Sequence, residues 1–255
     1  MTKNTLLINL FLTGLIAIDY WLYPDLFCSF LSIIGLMGIV WIISLIVKDA
    51  SIVDIFWGPC FIIYGLSVNH SIGETSERAL LVLGLVSLWA LRIALHIGIR
   101  NIGHGEDIRY VAWRKEAGKH WWWLSFFRVF YLQGCLAYLI GVPLYFAHTN
   151  PAILTTIEIV ICTGIFGLGL LWETISDIQL KSFRKDPNNK GKICTVGLWK
   201  YSRHPNYFGD LVVWISIFTF SISSENLLLI SGAFLSPLIM GSIFYYITGP
   251  IMDQA

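Results

Sequence analysis

Charge is scarce in this chain: Lys, Arg, Asp and Glu make up 13% of its 255 residues, against 56% hydrophobic ones. Domains that fold in water carry about twice that share of charge, so the scarcity excludes a soluble globular protein. No block of like charge stands out, and a formal net charge of +1 offers nothing to nucleic acid. Cysteines are few and scattered: Cys28, Cys60, Cys135, Cys162 and Cys194 form no CxxC pair and have no histidine at ligand spacing, which argues against a metal site or a disulfide framework. Those inside apolar segments read as small packing residues. No GxGxxG follows a strand pattern, which excludes a Rossmann domain. Internal repeats and low-complexity segments are missing as well.

What the chain does have is apolar runs. A hydrocarbon core of about 30 Å needs about 20 apolar residues per helix, and runs of that size fill 5–23, 26–47, 52–69, 79–99, 121–147, 152–176, 205–222 and 227–248. The expected fold is all-α: a multi-pass transmembrane bundle of about seven or eight helices, read as a single integral membrane domain over 1–255. The first run follows Lys3 as a signal peptide would, but "AIDYWLYPDL" offers no small-residue cleavage site, so a retained helix is expected.

The few basic residues are placed unevenly. Fourteen of the 17 Lys and Arg are Lys3, Lys48 or members of 100–119 and 181–203. By the positive-inside rule the N-terminus and the connections after spans two, four and six are cytoplasmic, and eight spans return the C-terminus to the same side.

Ionisable groups in hydrocarbon need a partner, water or a function. On this topology Asp54, Arg92, His96, Arg128, Glu173, Asp177, Asn206 and Asp210 fall at one level near the cytoplasmic surface. Arg92 and His96, Glu173 and Asp177, and Asn206 and Asp210 are i, i+4 pairs, each on one helix face. That pattern predicts a cavity between helices, open to the cytosol. The plain alternative for any one of them is snorkelling or capping; Asp54 has a simple ion pair with a nearby lysine as its alternative, and Glu158, at the opposite end of its span, reads as structural.

Two loops follow the fourth and sixth spans, "RNIGHGEDIRYVAWRKEAGKH" and "LKSFRKDPNNKGKICTVGLWKYSRHPN". Both mix cations with glycine and asparagine, as a phosphate-bearing cofactor requires and as an ordinary positive-inside loop also would. In "SRHPNYFGD" Pro205 suits the first turn of a helix, with Ser202 a nearby cap. Asn206 and Asp210 then occupy its first two turns, where free N–H groups favour an anionic ligand.

"ETISDIQLKSFRKDP" with "GLWKYSRHPNYFGD" resembles the C-terminal half of the steroid 5-alpha-reductase family, and "SIVDIFWG" with "LWALRIALHIGIRNIGHGEDIRY" resembles earlier segments of its bacterial multi-pass relatives. The resemblance covers about 51–249. It implies a membrane enzyme that binds NADPH in a cytosol-facing cavity and reduces a carbon–carbon double bond conjugated to a ketone. It further implies cofactor contacts at Glu173, Asp177, Arg184, Lys192, Asn206 and Asp210, with Asp54 and His96 at the catalytic positions. Two departures stand out: His96 takes the place of a tyrosine, and Asp54 that of a glutamate. Relatives also continue in a basic tail past the point where "ITGPIMDQA" closes this sequence, so either that tail lies outside it or the site is completed differently.

On this reading hydride reaches the β-carbon of a lipid-like enone drawn from the bilayer, and His96, oriented by Asp54, gives a proton as charge develops on the substrate oxygen. Membrane methyltransferases that use S-adenosylmethionine also carry an "RHPxYxG" stretch, and they form the rival reading. The upstream "SDIQLKSFR" and the acidic Asp54 favour the reductase. A transporter would instead place its polar groups near the midplane.

Overall fold

A computed structural model of the chain describes residues 3–73, 75–101, 103–222 and 227–248. Its contacts divide it into two compact units, Met1–Thr149 and Asn150–Ala255, a division that the even succession of apolar runs does not reveal. Among the described residues all regular structure is helical.

The first unit contains α1 (Lys3–Leu22), α2 (Phe27–Val47), α3 (Val53–Ile72), α4 (Glu77–Asn101), the short α5 (Ile108–Ala117) and α6 (Trp121–Ser125), and α7 (Leu132–Thr149). Helix α3 is its centre and packs on α2, α4 and α7. Gly58 lets α4 come close, since a Cβ there would lie 2.7 Å from the Ala90 carbonyl; small residues at such crossings are how helices associate where lipid supplies no hydrophobic drive. Buried Phe61 meets Trp57 and Trp89 edge-on, and Tyr64 leans on Tyr138. Pro59 and Pro143 lie inside α3 and α7, as neighbours in a bundle allow.

Between α6 and α7 the chain winds one π turn, Phe126–Tyr131. This turn is where α1 is fastened. Asn9 donates to the Phe127 carbonyl (2.9 Å) and Thr13 shares a hydrogen bond with Tyr131 (2.8 Å), while further along Tyr138 donates to Asp19 (2.6 Å). The rest of α1 is largely exposed aliphatic and aromatic surface, suited to lipid.

The second unit contains α8 (Thr156–Lys185), α9 (Pro205–Ser221) and α10 (Leu227–Ser242), the last running into a second π segment, Ile243–Thr248. The start of α8 lies four residues later than its apolar run, because Thr155 and Glu158 form a reciprocal capping box there; the structural role expected of Glu158 is the one it has. Its end lies nine residues beyond 176, since "DIQLKSFRK" keeps strong helix formers after apolarity stops. Helices α8 and α9 touch backbone to backbone: a Cβ on Gly209 would lie 2.5 Å from the Glu173 nitrogen, and one on Gly169 2.8 Å from the Gly209 carbonyl. Ser216 reinforces the pair by donating to the Cys162 carbonyl at 2.7 Å.

Six segments have the length and apolarity to cross a membrane: Thr5–Leu22, Pro24–Val47, Ala50–Ile72, Glu77–Asn101, Ile108–Thr149 and Thr156–Lys185. Helices α9 and α10, with 17 and 16 residues, are shorter. The closing residues 249–255, on which the expectation about a basic tail turns, lie outside the described residues.

Candidate functional site

Asp54 sits in the first turn of α3, its side chain 18% exposed. Instead of a lysine it has three other partners. Tyr110 donates to Oδ1 at 2.9 Å, Gln133 approaches the same oxygen at 3.5 Å, and the Arg109 guanidinium lies 3.4 Å from Oδ2. Gln133 also donates to the Tyr110 hydroxyl at 3.2 Å, so carboxylate, phenol and amide close a triangle. Tyr110 is buried.

The segment that brings Arg109 and Tyr110 here reads as loop in the sequence and is folded. Asp107 caps α5 by accepting the Arg109 N–H (3.0 Å) and also takes the Arg109 side chain (2.9 and 3.1 Å). Burial pushes the Asp107 carboxyl up, but those hydrogen bonds and the charges of Arg109 and Arg100 outweigh it and hold it below the usual carboxylate range. Glu106 anchors the segment to the entrance of α3 by accepting the Ala50 N–H (2.8 Å), and Arg114 clasps Glu106 through two bonds (2.7 and 2.9 Å). Arg114 also lies over Trp121. Arg128, unexplained in the sequence, pairs with Glu116 at 2.8 Å and covers Trp113. It belongs to this latch.

Arg92 and His96 lie half-buried on α4. The imidazole is not among the groups that hydrogen-bond Asp54, so the orientation of His96 by Asp54 expected from the sequence gives way to Asp54 with Tyr110. The residues that sequence reasoning missed are Arg109, Tyr110 and Gln133. Their one legible signal was Asp107, a good N-cap ahead of a short helix-compatible stretch. Two cavities of this unit, one lined by Gly65, Asn69 and His148 and another of about 260 Å³ lined by Cys28, Ser67 and His70, lie toward the opposite end of α3 from Asp54.

In the second unit the α8–α9 contact gathers the other predicted residues. Glu173, Asp177 and Asp210 are buried. Asn206 donates to Asp177 at 3.4 Å, and its own Oδ1 is buried without a hydrogen-bond partner. Pro205 opens α9 as its sequence predicts. Ser202 serves differently from the expected cap, accepting the His204 N–H at 3.2 Å. Arg184, in the last turn of α8, and Lys192, in the following loop, are exposed. That loop is docked: Leu198 N–H donates to Gln179 and Trp199 Nε1 to the Ser176 carbonyl, both at 2.9 Å.

These features define a class: a helical integral-membrane protein whose ionisable residues are held in polar networks at helix entrances. Within it the chain belongs to DUF1295, a family described as of unknown function, whose model matches residues 40–254; the family is related to the steroid reductase and methyltransferase superfamily, which includes enzymes. An uncharacterized protein of Schizosaccharomyces pombe is 26% identical, the match covering 75% of this chain and 63% of that protein. The chain thus spans less than two thirds of that relative's length. A probable O-methyltransferase of Ustilaginoidea virens, ustE, is 46% identical over 52 residues, 20% of this chain and 18% of that protein. No solved structure matches.

Proposed function

We propose that this protein is an NADPH-dependent membrane reductase acting on a carbon–carbon double bond conjugated to a ketone in a lipid-like substrate. The observation that carries this reading is the hydrogen bond from the Tyr110 phenol to Asp54. Reducing an enone places negative charge on the substrate oxygen, and an O–H donor fixed beforehand in a dry site stabilises that charge more than water does. Asp54 orients the phenol, Gln133 holds both, and Arg109 offsets the charge of the carboxylate. Tyr110 thereby supplies the kind of acid that His96 replaces at the position named by resemblance, and His96 stands as the second candidate donor.

Bound NADPH would supply the hydride for the β-carbon, while the α-carbon takes a proton. The α8–α9 pair fits such a cofactor by its chemistry. The buried, unpartnered Oδ1 of Asn206 offers an acceptor to an amide or ribose hydrogen; Glu173, Asp177 and Asp210 add further acceptors, and the cations Arg184 and Lys192 suit phosphate. A substrate soluble in the bilayer follows from the apolar helices that surround both networks.

A second reading, transfer of a methyl group from S-adenosylmethionine, is favoured by the segment similar to ustE. Titration of the purified protein with each cofactor separates the two. Saturable NADPH binding, with NADPH oxidation on adding an enone such as a 3-keto-4-ene steroid or a prenyl enone, is the expected result. Binding of S-adenosylmethionine alone would replace it with the second reading.

A further inference from the structure

Two polar stretches of this protein treat their charges in opposite ways. In residues 100–128 each arginine of the latch has a carboxylate of its own: Arg109 has Asp54 and Asp107, Arg114 has Glu106, and Arg128 has Glu116. Between 178 and 204 the sole acid is Asp186, and it is engaged in accepting the Asn188 N–H. Lys181, Lys185, Lys190 and Lys200 are exposed, and no described carboxylate pairs with them. None of these four has a part in the proposed cofactor site.

Large apolar side chains stand among these lysines. Ile193 is 84% exposed, Tyr201 80% and Val196 49%, while Cys194 between them is buried. The backbone that presents them is fastened. Asn189 donates to the Phe183 carbonyl at 2.9 Å, and the bonds to Gln179 and Ser176 hold Leu198 and Trp199. Gly197 has φ +58°, and a Cβ there would overlap the Gln179 amide. A loop pinned this way cannot turn its apolar residues inward, so their cover comes from outside it. Helix α8 shows where: its 30 residues span about 45 Å against about 30 Å of hydrocarbon, so its last turns and this loop stand in the headgroup layer.

We propose that this face of the second unit binds anionic phospholipid: the four lysines take headgroup phosphates, and Ile193, Val196 and Tyr201 enter the boundary between headgroups and acyl chains. A soluble phosphate would use the cations and leave the apolar side chains in water. A neutral lipid would cover the side chains and leave the cations unmatched. Only a lipid with an anionic head answers both.

Native mass spectrometry of the full chain, released from nanodiscs of equal phosphatidylglycerol and phosphatidylcholine, tests this directly. Phosphatidylglycerol is expected to be retained preferentially. Lys190→Gln and Lys200→Gln should each lower its retention about five-fold, and Lys190→Arg with Lys200→Arg should restore it. Ile193→Ser with Tyr201→Ser should also lower retention, with far-UV circular dichroism unchanged because both positions are exposed. Equal retention of the two lipids, wild-type retention by the glutamine variants, or displacement of phosphatidylglycerol by inorganic phosphate beyond that by chloride at equal ionic strength would overturn the proposal. It does not depend on which cofactor the protein binds.

Discussion

A carboxylate one turn inside a membrane helix is costly unless its charge is matched and its lone pairs are taken, and Asp54 meets both conditions through Arg109, Tyr110 and Gln133. Asp54 was legible in the sequence because its residue type conflicts with its surroundings. Its partners were not, since Arg109 and Tyr110 lie over fifty residues away in a stretch whose composition is that of any cytoplasmic loop, and one glutamine in an apolar run carries no period. We expect Asp54→Asn and Tyr110→Phe each to lower enone-dependent NADPH oxidation by about 100-fold or more while NADPH affinity, read by fluorescence titration, stays near wild type. If His96→Phe alone abolished turnover and Tyr110→Phe did not, the donor role would pass to His96. Asn206→Ala should weaken NADPH binding about tenfold; unchanged affinity would remove the α8–α9 pair from the cofactor site.

At the level of elements, apolar length located all the long helices, and the errors fell where something other than apolarity decides an end. The capping box at Thr155 moved the start of α8, and helix propensity carried its end into polar sequence. The same helix carries a packing test. Gly209→Ala would drive a methyl into the Glu173 backbone and should destabilise by about 1–3 kcal/mol, seen as a lower melting temperature in detergent. Gly164→Ala on α8, with nothing within 4 Å of its Cβ position, should instead be neutral or stabilise by up to about 1 kcal/mol. The latch gives a pH test. Asp107 is held below its unfolded value, so its contribution is fully present above the ordinary carboxyl range and is lost as pH falls through that range toward the lower folded value. Thermal stability should therefore drop below about pH 4, and Asp107→Asn should flatten that drop.

For the molecule as a whole, the uneven spread of basic residues predicts that both polar loops face the cytoplasm. Single cysteines at His104 and Ser202 should then react with a membrane-impermeant maleimide only from that side; labelling from the other would invert the topology. The division into two units was beyond a reading by apolar runs, because runs report which segments cross a bilayer and not which ones touch. The π turn at Phe126–Tyr131 bears on the order in which the chain's parts are phased. Removing one residue from it would let the segment rewind as plain α-helix, swinging everything beyond by about 100°. Gln133 would then leave Asp54 and Tyr138 would leave Asp19 together, so one codon's loss at this joint would unfasten two distant ties that no substitution at either could break in concert.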